Sequence, residues 1–211
     1  MKSVYRMLRI VNRRQEIYDY FHNNGDCQQF FFDAAQKERY AAYYTRYAAY
    51  YTSMYLVQDT SESLLAHRAR GFFSDPLAAY LEFWGVMQAL IIQQDSISDL
   101  YEAVTSAELD IRALDSWQAV RTLRNACAGH PAKRDRPKNF PVTRTFMGRR
   151  FGGYPAITYE QWQAQGGISH PTVKLAALID VYEGSGGQAS GGVAVDEGAM
   201  ATFHQAKMLD R

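Results

Sequence analysis

Residues 75–104 read DPLAAYLEFWGVMQALIIQQDSISDLYEAV, and this stretch decides the fold. Asp75 is placed to cap a helix and Pro76 to occupy its first position, where a missing N–H costs nothing. Behind them Leu77, Leu81, Trp84, Met87, Ile91, Gln94, Ile97, Tyr101 and Val104 recur in steps of three and four. That is an apolar stripe sustained for roughly eight helical turns. One polar side chain, Gln94, falls on the stripe, with Asp95 beside it. A helix of this length needs other helices to cover it, so the expectation is a mainly α bundle.

The flanking sequence supplies them. Val4, Met7, Leu8, Val11, Tyr18 and Phe21 keep helical spacing up to the stop signal Asn23-Asn24-Gly25. From Cys27 to about Arg70 there is no proline, which predicts one very long helix or a broken pair. Unbroken, it would span roughly 60 Å, so a bend or a protruding arm is expected. The heptapeptide RYAAYYT occurs at 39–45 and again at 46–52, and Tyr40, Tyr44, Tyr47, Tyr51 and Met54 then form a seam. Packing against the core or a second copy is the first reading of these rings, and stacking on RNA bases the second. A further helix begins near Asp115, whose spacing to Gln118 resembles a capping box, and ends near Gly129 and Pro131. Its apolar face is Trp117, Val120, Leu123 and Cys127.

Beyond Pro131 the prolines and glycines forbid a long helix, and a small β-hairpin or loop appendage is expected over 139–160. Thr158 with Gln161 reads as the cap of a short helix stopped by Gly166-Gly167, and Pro171 as the start of a last helix closed by Gly184. Residues 184–192, GSGGQASGG, read as a flexible linker leading into a loosely ordered tail. The predicted organisation is therefore one helical domain over 1–183 and a linker with tail over 184–211.

Composition narrows the class. The 211 residues are 47% apolar and 21% charged, with 23 basic against 22 acidic side chains, a profile of one ordinary domain. The aromatic content of 14% excludes wholesale disorder. The most apolar run, Phe83–Ile92, is too short for a membrane span and contains Gln88. Lys2, Arg6, Arg9, Arg13 and Arg14 interrupt the N-terminus without an apolar run, so a cytoplasmic protein is expected. Cys27 and Cys127 are too few for a disulfide framework or a structural zinc site, and no metal or cofactor is expected. Net charge is only +1, yet Lys133, Arg134, Arg136, Lys138, Arg144, Arg149 and Arg150 crowd a short segment against Asp135 alone. The first four are candidate contacts to a phosphate backbone.

The chemistry-bearing stretch is LRNACAGHP, 123–131. At 100° per residue Arg124 falls on the inward stripe, close in angle to Trp117, where its guanidinium needs anionic or acceptor partners. Structural pairing with Asp95 is the bland explanation, and binding a substrate anion the sharper one. His130 follows six residues later, at a helix exit broken by Gly129 and Pro131. Histidine titrates near neutral pH, although at a helix end it is also an ordinary cap. Cys127 and His130 stand three apart, but Cys127 faces the core, where a small buried thiol is ordinary.

Arg124, Asn125 and His130, followed by Pro131 and a basic run and preceded by Gln93-Gln94-Asp95 on the neighbouring helix, resemble the R-x4-6-H signature of the HEPN superfamily. The resemblance covers about 76–136. It implies a HEPN-like helical bundle, dimeric, acting as a metal-independent endoribonuclease whose composite site joins two copies. Arg124 would stabilise the transition state, His130 would be the general base and Asn125 would orient the phosphate or the imidazole. Gln94 and Asp95 would hold Arg124 from behind. The products implied are 2′,3′-cyclic phosphate and 5′-hydroxyl ends, in a toxin or defence protein restrained by an antitoxin or regulatory partner. The other class is a non-catalytic helical dimer that binds RNA or serves as a scaffold.

Overall fold

The Asp75 carboxylate accepts hydrogen bonds from the amides of Leu77 (3.1 Å) and Ala78 (2.8 Å), and Pro76 takes the first helical position. The long helix thus starts where the sequence places it, and it runs through Thr105 to a left-handed Ser106 (φ 61°). The computed structural model describes residues 8–23, 27–35, 40–129, 143–163 and 166–189. Among them lie six α-helices: α1 Leu8–Asn23, α2 Cys27–Ala35, α3 Tyr40–Arg70, α4 Pro76–Thr105, α5 Asp115–Arg124 and α6 Leu175–Ala189. A 3₁₀ turn, Ile111–Ala113, precedes α5, and a π-helical stretch, Asn125–Gly129, continues it.

α3 and α4 form an antiparallel pair, as three contacts along their length show. Arg46 donates to the Ala103 carbonyl, Gln93 donates to the Ser61 hydroxyl at 2.7 Å, and Arg70 bridges Glu82. The segment from Cys27 to Arg70 is therefore the broken pair, with α2 ending at Ala35. Two cores flank this hairpin. The larger gathers Leu64, Phe83, Met87, Leu90, Trp117, Val120, Ile157, Leu175 and Tyr182 between α3, α4, α5, α6 and the strands. The smaller gathers Ile17, Phe21, Phe31, Tyr50, Met54, Leu100 and Ala103 where α1 and α2 cover the start of α3 and the end of α4.

The buried faces differ from the expected stripes in two places. On α4 the buried set is Ala79, Phe83, Val86, Met87, Leu90, Ile91, Gln93, Gln94, Ser96, Ile97, Leu100 and Ala103, whereas Leu77, Leu81 and Trp84 are exposed. The expected stripe holds from Met87 to Ile97, fails before it because the N-terminal turns of α4 are covered on the Phe83 side only, and fails after it, where Leu100 and Ala103 are buried and Tyr101 and Val104 only partly so. On α3 the inward line is Tyr50, Met54, Val57, Ser61 and Leu64, and Tyr51 turns half outward.

Among the described residues five short strands lie in the appendage: β1 Arg144–Phe146, β2 Ile157–Thr158, β3 Glu160–Trp162, β4 Ile168–Ser169 and β5 Thr172–Val173. β3 lies antiparallel between β1 and β4, with Thr145 opposite Gln161 and Gln161 opposite Ser169, while β2 pairs antiparallel with β5. The expected short helix after Thr158 is a strand instead. Thr158 faces Thr172 with hydroxyls 3.1 Å apart, so cross-strand pairing overrides the local capping pattern. At Gly152 (φ 103°) a Cβ would lie 2.1 Å from the Ala156 carbonyl oxygen, so only glycine fits this turn. Pro171 precedes β5 rather than a helix, and α6 continues through Gly184 to Ala189. Helical propagation past packed residues outweighs the glycine penalty there. Among the described residues no helix is long and apolar enough to cross a membrane.

Glu183 on α6 is buried, and burial pushes its carboxyl up to about 8 from the ordinary 4.5, with the Ile10 amide and Arg68 pulling it partly back. Between those two values the folded chain keeps a proton that the unfolded chain has released. Its contribution to stability is therefore full below about pH 4.5 and is lost as pH rises through about 8. Glu183→Gln removes this loss. Denaturant melts should show the variant more stable than the parent by 1 kcal/mol or more above about pH 8, with the gap closing toward about pH 5. A gap independent of pH contradicts the assignment.

Candidate functional site at the end of the fifth helix

α5 is short and strongly two-faced, with Trp117, Val120 and Leu123 buried against α4 and α6. Its cap residue is Leu114, with Asp115 already in the first turn, so the expected Asp115–Gln118 capping box does not form. Gln118 reaches back to the Ile111 carbonyl instead, at 3.5 Å. After Arg124 the helix widens into the π stretch, which packs Ala126 and Cys127 into the core. The Thr145 hydroxyl donates to the Ala126 carbonyl, so β1 satisfies an acceptor at this irregular end. Single π turns of this kind occur often at functional sites.

Arg124 is half-buried rather than enclosed. Its stem follows the inward stripe while its guanidinium emerges beside α4. There Nη1 donates to Oδ1 of Asn125 at 3.2 Å and Nη2 to Oε1 of Gln88 at 3.4 Å. Both acceptors are neutral amides. Among the described residues Arg124 forms no ion pair with a carboxylate. Asn125 is exposed and adjoins the guanidinium, so the structure brings these two site residues together.

Gln94 and Asp95 do not reach Arg124. Asp95 bridges Arg121, one turn earlier on α5, and Gln94 is fully buried with its amide nitrogen 3.4 Å from the Trp117 carbonyl. The antiparallel course of α4 and α5 explains this. Positions opposite Arg124 lie nearer the start of α4, and the residue there is Gln88. The sequence shows Gln88 only as a polar interruption of an apolar run. Knowing the antiparallel course, one would step two turns back from Asp95 and arrive at Gln88.

His130 lies outside the described residues, as do Lys133, Arg134, Arg136 and Lys138. Cys127 is buried, and burial pushes its thiol up to about 12, which keeps it protonated at neutral pH. It is therefore unsuited as a nucleophile. Among the described residues no group of three or more His, Cys, Asp or Glu is placed to hold a metal ion.

A second polar cluster escaped sequence reasoning altogether. His67 Nδ1 lies 2.8 Å from the Tyr154 hydroxyl, and Nε2 lies 3.7 Å from Glu82 Oε2. Glu82 also accepts from the Phe73 amide at 2.8 Å and from Arg70. Burial lowers the His67 pKa and pushes Tyr154 up to about 12. These residues join α3, α4 and the loop after β1, and no local spacing announces a group spread over 67, 82 and 154.

Set against known families, curated proteins and solved structures, the chain matches none.

The burial of Cys127 gives a direct check on the path of the π stretch. In a thiol titration of the native protein Cys127 should stay unmodified, and it should react once the chain is unfolded. Rapid labelling of Cys127 in the native protein contradicts this placement.

Proposed function

We propose that the chain is a metal-independent endoribonuclease of the HEPN kind, with Arg124, Asn125 and His130 as its working residues. The observation that carries this reading is the Arg124 guanidinium, emergent at a helix end and bonded, among the described residues, only to amide oxygens. The carboxylate that a structural role would assign to it, Asp95, is engaged by Arg121. A cation placed so has capacity for a phosphate.

In this reading His130 takes the proton from a ribose 2′-hydroxyl, and the 2′-oxygen attacks the adjacent phosphorus. The bond to the 5′-oxygen breaks, that oxygen takes a proton from water and leaves as a 5′-hydroxyl while His130 returns its proton to solvent, and the other fragment carries a 2′,3′-cyclic phosphate. Arg124 neutralises charge growing on the non-bridging oxygens, and Asn125 orients the phosphate. Lys133, Arg134, Arg136 and Lys138 supply affinity for the backbone that weakens with salt. Asp95 is left out of the machinery, and Gln88 takes its place as the residue that positions Arg124.

We place this enzyme in the cytoplasm as a homodimer, a toxin or defence nuclease restrained by an antitoxin or regulatory partner. The contact between copies is the strip Leu77, Leu81 and Trp84, of which Leu81 is 67% exposed, and Gln88 follows one turn beyond it on α4. A non-catalytic RNA-binding or scaffold dimer is the second reading, and the same strip favours it, since such a dimer needs an apolar face just as much.

The test is cleavage of mixed cellular RNA in excess chelator by the parent, Arg124→Ala and His130→Ala, all shown to be folded. We expect cutting by the parent with cyclic-phosphate ends, and losses of about 100-fold or more in both variants. Equal cutting by all three, or none by the parent, contradicts the enzymatic reading and leaves the scaffold.

A further inference from the structure

Residues of α1, α2 and α3 line a half-open cavity of about 480 Å³ that the proposed function does not use. Its walls are aromatic. On α1, Tyr18 and His22 stack with centroids 5.4 Å apart and planes within 12°. On α3, Tyr51 and Tyr55 lie 4.9 Å apart, both half exposed at 50%, and Tyr51 belongs to the second RYAAYYT repeat. Phe21 and Tyr50, both buried, also line it.

A core helix contact would cover these rings, yet Tyr18, Tyr51 and Tyr55 keep 40–50% of their surface. Arg14 completes the lining. Its guanidinium lies 5.2 Å from the Tyr18 ring centroid, and it donates to the Met54 carbonyl at 3.2 Å and to Gln15 at 3.1 Å. Among the described residues no carboxylate lines the cavity and Arg14 forms no ion pair. The surface thus combines π faces, with Tyr18 and His22 parallel and Tyr51 and Tyr55 tilted 58° to each other, phenolic and imidazole edges, and a cation held in place by its own hydrogen bonds. An aliphatic partner helix would use neither the cation nor the polar edges. A planar base joined to a phosphate uses all three.

We propose that this cavity is a nucleotide site, in which a nucleobase stacks on the Tyr51–Tyr55 and Tyr18–His22 walls and Arg14 meets its phosphate. The volume lies within the range of about 300–1,000 Å³ in which small-molecule sites fall. The ligand is either a free mononucleotide or one unit of a single strand, since the recognising chemistry is the same. The site does not require cleavage at Arg124 and goes beyond it.

The experiment measures fluorescence anisotropy of a labelled 2′-O-methyl oligoadenylate of about twelve nucleotides with the full chain in chelator. Because its 2′-oxygens are blocked, it cannot be cut, and the tyrosine and Arg14 variants separate binding in this cavity from binding at Arg124. Tyr51→Leu/Tyr55→Leu should weaken binding about tenfold or more, while Tyr51→Phe/Tyr55→Phe should stay within about threefold of the parent. Arg14→Gln should weaken binding and flatten its salt dependence. Competition by adenosine monophosphate identifies the free nucleotide as sufficient, and binding without competition identifies the strand. Ultraviolet crosslinking of the unmodified protein, mapped by mass spectrometry, gives a check that needs no variant and should label Tyr18, Tyr51 or Tyr55. Equal binding by the leucine pair and the parent, crosslinks confined elsewhere, or no binding of either probe overturns the proposal.

Discussion

Three consecutive side chains of α4, Gln93, Gln94 and Asp95, hold the other helices in register. Gln93 is completely buried, donating to Ser61 on α3 and accepting from the Tyr182 hydroxyl on α6, both at 2.7 Å. A buried amide that lost these partners would cost a few kcal/mol, whereas a slipped leucine costs only its packing. Register is therefore set by the amide. Gln94 does the same toward α5 through the Trp117 carbonyl, and Asp95 fixes the solvent side of that contact by bridging Arg121.

The direction of Arg124 follows from this arrangement. With Trp117 and Arg121 pinned to the middle of α4, the end of α5 passes Gln88, which accepts from the guanidinium. The π stretch then returns the chain to the core at Ala126 and Cys127, and β1 secures it through Thr145. The site is thus mounted between a helix pair and a small sheet, and its cation is held by two uncharged amide acceptors. Such a mounting fixes position without consuming the charge.

Much of this was legible in the sequence where the signal is local. Asp75-Pro76 marked the start of α4, Asn23 marked the end of α1, and Trp117, Val120, Leu123 and Cys127 gave the buried face of α5 correctly. What was not legible depends on partners distant in the chain. Nothing near Thr158 announces Thr172, so a capping pattern was read where strands pair. Leu77, Leu81 and Trp84 have core periodicity but lack a covering element among the described residues. Arg124 has the angle of a core position, yet a long side chain at the end of a short helix can carry its head to the surface. Its pairing with Asp95 failed by two turns because periodicity states which face a residue occupies and not how two helices are aligned along their axes.

The central claim is that Asp95 belongs to Arg121 and leaves Arg124 without a carboxylate among the described residues. A pair of double-mutant cycles on folding stability tests it most directly, combining Asp95→Asn once with Arg121→Gln and once with Arg124→Gln. We expect a coupling of a few tenths of a kcal/mol for Asp95 with Arg121, as for other surface ion pairs, and none for Asp95 with Arg124. Coupling of Asp95 to Arg124, with none to Arg121, would make the guanidinium a structural partner and contradict its assignment to a substrate phosphate.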